Sequence, residues 1–95
     1  MKKDEVRKAR QQLKRLAKQL AATGTVMRGS VVNIGTRNKQ FYFTLNKDNK
    51  TRLIYLGRQR EPVARRLSAN YKTLLAIAEE MTLLNMELLK NDALK

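Results

Sequence analysis

Acid–base or metal chemistry in this chain would have to come from eight carboxylates: Asp4, Glu5, Asp48, Glu61, Glu79, Glu80, Glu87 and Asp92. Histidine and cysteine are absent, which removes the commonest general base, the commonest zinc ligand and any thiolate nucleophile. Glu80 and Glu87 fall two turns apart on one helix face, Glu79 points elsewhere, and Asp48 sits in a turn among lysines. A two-metal hydrolytic centre needs several convergent oxygens, and this spacing does not bring them together. Ser30, Ser68 and the threonines have no histidine to activate them, and no feature marks a lysine as a base. Neither GxxxxGK[ST] nor GxGxxG occurs, so no nucleotide cradle is expected. The residues read as a non-enzymatic protein with no metal, no cofactor and no small-molecule substrate.

The residues that do form a constellation are basic. Lys and Arg number 21 against eight Asp and Glu, a formal net charge of +13. Residues 1–60 hold sixteen of the bases and three of the acids, whereas residues 61–95 hold five of each. A solubilising surface needs only a modest excess. A one-sided excess of this size is expected where the partner is a polyanion. Arg28, Arg37, Lys39, Lys47, Lys50 and Arg52 fall in or beside a β-rich stretch, with Arg58 and Arg60 just after it. Lys8, Lys14, Arg15 and Lys18 lie on the first helix. Asn33, Arg37, Asn38, Gln40 and Arg52 have the side chains that read base edges. Tyr42 and Tyr55 offer rings for base stacking, but the stronger expectation is that one or both pack in the core beside Phe41 and Phe43.

Three elements must position these groups. Residues 3–22 are predicted to form a basic helix, with Val6, Ala9, Leu13, Leu16 and Leu20 spaced as an apolar stripe and Thr23-Gly24 as its stop. Residues 25–57 are predicted to form a three-stranded antiparallel β-meander. Its first strand, Val26 to Ile34, is interrupted by Gly29, which implies a bulge or a close backbone approach. Phe41, Phe43 and Leu45 alternate with Tyr42 and Thr44, and Leu53 and Tyr55 alternate with Arg52, Ile54 and Leu56. A loop over Gly35–Lys39 and a tighter turn over Lys47–Lys50 join the strands. Residues 62–90 are predicted to form a long amphipathic helix opened by Pro62, with a possible break at Ser68-Ala69-Asn70 where serine and asparagine can cap. The fold class is α+β in one domain, residues 1–95.

The last helix carries Val63, Leu67, Asn70, Leu74, Ile77, Met81, Leu84 and Leu88 at alternating four- and three-residue spacing, a coiled-coil seam. It would be ~43 Å long, whereas six-residue strands reach about 20 Å. Its remainder must meet the first helix or a second copy, and both are expected: a hairpin-like pairing of the two helices within the chain, and a homodimer. A homodimer through Leu67, Asn70, Leu74, Ile77, Met81, Leu84 and Leu88 is expected. Asn70 either fixes its register or is an exposed polar residue at a helix start.

The strand Val26-Met27-Arg28-Gly29-Ser30-Val31-Val32, the strand Lys50-Thr51-Arg52-Leu53-Ile54-Tyr55-Leu56, Tyr71, and the ending Leu84-Asn85-Met86-Glu87-Leu88-Leu89 carry a resemblance. Over about residues 10 to 90 the chain resembles an uncharacterised family of short basic prokaryotic proteins often found on plasmids, transposons and related mobile elements. That family has a helix, an RGS-containing β-meander and a long helix. The resemblance implies a nucleic-acid partner in a mobile-element setting and brings no established activity. Its members carry a cysteine-rich, knuckle-like segment between the first two strands; this chain has Gly35 to Gln40 there, so a family metal site does not transfer.

The expected function is nucleic-acid binding by a dimer, with an architectural or regulatory role. DNA is favoured over RNA, because a two-stranded ribbon fits the major groove. Basic hairpin loops and the first helix would contact phosphates. The alternative is a small interaction or inhibitor protein whose basic sheet docks on an acidic protein. A membrane-surface role for the first helix lacks an aromatic anchor. With no signal-peptide pattern and no apolar run longer than Leu74–Ala78, the expected location is the cytoplasm.

Overall fold

The computed structural model describes residues 2–93. Its elements are α1 (Lys3–Ala22), β1 (Ser30–Asn33), β2 (Phe41–Lys47), β3 (Lys50–Tyr55) and α2 (Gly57–Lys90), in that order. The architecture is α+β, as expected. Two compact units emerge. One joins the chain up to Gly24 with the chain from Thr73 onward; the other is Thr25–Lys72. α2 contributes to both.

In the first unit, α1 has the bounds its apolar stripe predicts. Asp4 and Glu5 in its first turn suit the positive end of the helix dipole. At its other end the Thr23 hydroxyl donates to the Gln19 carbonyl and Gly24 turns with φ 85°. Ala9 and Leu16 are buried, as are Ile77 and Leu88 of α2. Leu74, Met81 and Leu84 are half-buried. Arg10 donates to the Ala93 carbonyl at 2.7 Å and the Gln12 amide to Glu80 at 3.5 Å, so the start of α1 lies against the end of α2. Much of the seam thus has cover within one chain.

In the second unit the strands pair antiparallel in the order β1-β2-β3. Asp48 and Asn49 take φ 54° and 62°, the two left-handed residues of a type I′ turn, whose twist matches the strands it joins. The β1–β2 loop is closed by Ile34 N–H on the Gln40 carbonyl and by Gln40 N–H on Asn33 Oδ1. Phe43 of β2, Leu56 just after β3 and Ala64 of α2 form the buried centre, with Met27, Val31, Phe41 and Leu45 packed around them.

Four expectations change. β1 starts at Ser30, not at Val26. Gly29 explains this by close approach: a Cβ there would stand 2.5 Å from the Phe43 ring and from the Thr44 carbonyl oxygen. The backbone before it bonds to α2 through Met27 and does not pair as a strand. Met27 N–H donates to the Leu67 carbonyl, and the Leu67 neighbour Ser68 sends its hydroxyl to the Gly29 carbonyl.

Second, α2 begins at Gly57, five residues before Pro62, which lies inside it. Leu56 must be buried against Ala64, and Gly57 at φ 64° turns the strand directly into the helix. Pro62 then lacks the N–H that would meet the Arg58 carbonyl, and its ring crowds that carbonyl, a cost of about 3 kcal/mol for an interior proline that the packing of this segment must offset. Third, α2 runs unbroken through Ser68-Ala69-Asn70. Neither side chain caps; Asn70 donates to the Thr25 carbonyl at 3.1 Å, a use that neither reading of that residue provided for. Fourth, Tyr42 and Tyr55 are not core residues. They pair across β2 and β3 on the face opposite Phe43, with ring centroids 5.4 Å apart and edge to face.

Candidate nucleic-acid interface

Residues 25–72 hold eleven Lys and Arg against two acids, Asp48 and Glu61. Glu61 already accepts from Arg65 Nε at 2.8 Å. The sheet unit is therefore the main cationic surface, and the strand register determines where its charges lie.

β2 is the spine. Its N-terminal end meets the β1–β2 loop, which carries Arg37, Asn38 and Lys39, all exposed. Gly35 shapes this loop: at φ 148° its Cβ position would be 2.4 Å from the Asn38 carbonyl oxygen. Asn38, Lys39 and Gln40 line a concavity of about 430 Å³ together with Phe41, Tyr55, Gly57, Arg58 and Glu61. Loop, last strand and helix start thus converge on one cleft. Arg58 belongs to it. Arg60 does not reach it freely: its guanidinium donates to the Leu56 and Tyr55 carbonyls and ties the helix start to the strand end.

The other end of β2 meets the type I′ turn. Lys47 and Lys50 are directly paired across it. Like charges directly opposite are destabilising, so an anion placed over them relieves a cost already present. Arg28 joins this end by donating to the Asn46 carbonyl at 3.3 Å. Arg52 pairs with Leu45 and so shares the face that carries Phe43, although its own side chain is exposed. The basic residues expected around the sheet therefore separate into two groups, one at each end of β2. At about 3.3 Å per residue these ends are about 20 Å apart.

Between them runs a face that α2 does not cover. Register places Val32, Tyr42 and Tyr55 side by side, then Ser30, Thr44 and Leu53, then Asn46 and Thr51. Tyr55 is 49% exposed and Leu53 51%. The Thr51 hydroxyl donates to Asn46 Oδ1 at 2.7 Å. Asn33 and Arg52 lie on the covered side of the strands. Of the base-reading candidates, Arg37, Asn38 and Gln40 occupy the loop.

The tyrosine pair, Tyr55 exposed and Tyr42 half-buried, lies on the face that sequence reasoning did not expect. The signal was present: Tyr42 is out of phase with Phe41, Phe43 and Leu45, and Tyr55 is out of phase with Ile54 and Leu56. The register, which aligns the two rings, was the missing link. Arg65 was also passed over. It stands 5.3 Å over the Phe41 ring and serves packing.

In the other unit, Lys8, Lys14, Arg15 and Lys18 are exposed on α1. Arg15 donates to Gln12 at 3.4 Å, and Arg7 pairs with Asp4. Among the described residues there is no group of three or more metal-ligating side chains, and no helix is long and apolar enough to cross a membrane. No family model matches the chain, and neither a curated protein nor a solved structure matches it.

Proposed function

We propose that this chain is a nucleic-acid-binding protein that acts without catalysis, in an architectural or regulatory role. The observation that carries the reading is the division of exposed basic residues between the two ends of β2. Arg37, Lys39 and Arg58 mark one end; Arg28, Lys47 and Lys50 mark the other. A polyanion lying along β2 meets cations at both ends, and each phosphate contact releases counterions from the nucleic acid. The basic face of α1 is a second, separate surface for backbone contacts. The resemblance to short proteins of mobile elements points the same way.

The test is a salt series. Binding of labelled DNA and RNA is measured by anisotropy from low to physiological salt. Arg37→Ala with Lys39→Ala is expected to weaken binding across all sequences and to flatten the plot of log affinity against log salt by about one to two. Lys47→Ala with Lys50→Ala should do the same from the other end. An unchanged slope removes the loops as contact sites. A protein that ignores duplex DNA, single strands and RNA at physiological salt, yet captures a discrete acidic protein, would replace this reading with the docking one.

A homodimer belongs to the proposal, through a face other than the seam. Leu75, Leu83, Met86 and Leu89 of α2 are exposed. They fall in the charge-balanced stretch 61–95, where two copies of α2 can approach without the repulsion that the first sixty residues carry.

A further inference from the structure

We infer that the uncovered sheet face selects single-stranded nucleic acid, with one base stacked on Tyr55 in the cleft at the loop end of the sheet. This rests on the nucleic-acid reading above and names the form of ligand that the site takes.

Four observations carry it. The cleft of about 430 Å³ is of a size that holds a small ligand, and its lining is mixed. Tyr55 supplies a half-exposed ring, Lys39 and Arg58 supply cations, and Asn38 and Gln40 supply amides able to donate and accept on a base edge. Gly57 keeps the cleft open beside the ring: a Cβ there would touch the Tyr55 ring edge at 3.6 Å, at a φ of 64° that side chains rarely take. Tyr42 backs Tyr55 with an edge-to-face contact, which holds the ring in place before any base arrives. Finally, the face continues past the rings through Ser30, Thr44, Asn46 and Thr51, a polar path along β2; Lys47 and Lys50 stand on the Phe43 face, so the cations beside the rings are those of the loop end.

A duplex does not use this arrangement. Its bases are stacked on one another and present only edges, so a ring on a flat sheet face gains nothing from it. An unpaired base has a free π-face, and its stacking on an aromatic side chain is tolerant of sequence. The phosphate following a base on Tyr55 is held by Lys39 and Arg58, and the strand then tracks along β2. Phosphates alone would be bound equally well by loops without rings; the rings are what make the site selective.

The chain contains three tyrosines and no tryptophan, so its intrinsic fluorescence comes from Tyr42, Tyr55 and Tyr71, two of which are the rings of this face. The full chain is titrated with an oligothymidylate, an oligouridylate and a duplex DNA of equal length at two salt concentrations, following anisotropy and tyrosine emission. Single strands of either sugar are expected to bind more tightly than duplex and to quench the emission at both salts. Tyr55→Ala should weaken single-strand binding about tenfold and leave duplex binding within twofold, while Tyr55→Phe keeps wild-type affinity. Circular dichroism checks that each variant is folded. Should Tyr55→Ala unfold, the wild-type quenching and the Tyr55→Phe affinity still decide. Equal affinity for single strands and duplex, with no quenching, overturns the stacking site while leaving phosphate binding intact. No binding to any of the three ligands overturns the nucleic-acid reading itself.

Discussion

At the scale of single residues, close approach decides more than side-chain chemistry. Gly29 lets the chain pass over the Phe43 ring and the Thr44 carbonyl, and its φ of 146° suits glycine alone. Gly29→Ala is expected to cost about 1–3 kcal/mol from backbone strain alone, with the clash adding to it. Urea denaturation would show this as a lower midpoint with an unchanged slope. The motif containing Arg28-Gly29-Ser30 marked this stretch in the sequence, and glycine's role as a site of close approach was readable there. Which atoms it approaches was not, because Phe43 and Thr44 become neighbours only through the β1–β2 register. The same reason hid the tyrosines. Alternation assigns Tyr42 and Tyr55 to a face, but only the position of α2 determines which face stays uncovered.

At the scale of elements, α2 ties down the segment before β1. Leu67, Ser68 and Asn70 bond to Met27, Gly29 and Thr25 in succession. A helix normally satisfies its own polar groups; here two side chains and one carbonyl serve a neighbouring strand approach. Asn70 therefore gives a test with opposite signs. If it set register between two helices, Asn70→Ile would raise dimer stability at the expense of specificity. As the donor to Thr25, its loss leaves that carbonyl without this bond and lowers stability by about 0.5–1.5 kcal/mol. Thermal unfolding at two protein concentrations distinguishes them, since only the first effect shifts with concentration. The helices themselves were legible because their apolar spacing extends over several turns. The start of α2 was not, because Pro62 is a strong local signal and the burial of Leu56 against Ala64 is a tertiary one.

At the scale of the whole molecule, charge is distributed unevenly along the chain. Residues 25–72 carry most of the excess charge, while the large exposed apolar side chains of α2 beyond Thr73 lie in a neutral stretch. Chains this short bury a modest fraction of their surface, so covering Leu83, Met86 and Leu89 by a second copy would add to stability. Sedimentation at micromolar concentration is expected to give a dimer, and Leu83→Lys with Met86→Lys to give a folded monomer. A wild-type monomer would remove the dimer from the proposal. The meander and the two helices followed from periodicity, which is local. Heptad spacing is the same whether the second helix is the chain's own or another's, so it did not reveal that Ile77 and Leu88 are buried within a single chain.

The sheet ends on each side in a strand with one neighbour. β1 is only four residues long, but β3 offers six, including Leu53, Ile54 and Tyr55, all more than two-fifths exposed. Such a border invites pairing with another molecule, and natural sheets guard it with lysine and arginine. Here the guards are Lys50 and Arg52, and Lys50 is also among the groups that a polyanion would neutralise. Ligand and guard then compete for the same charge. Near the equivalence point of a titration the complexes lose the repulsion that keeps β3 borders apart, so turbidity there would reflect strand-to-strand association of saturated protein, and excess nucleic acid would clear it by restoring net charge of the opposite sign.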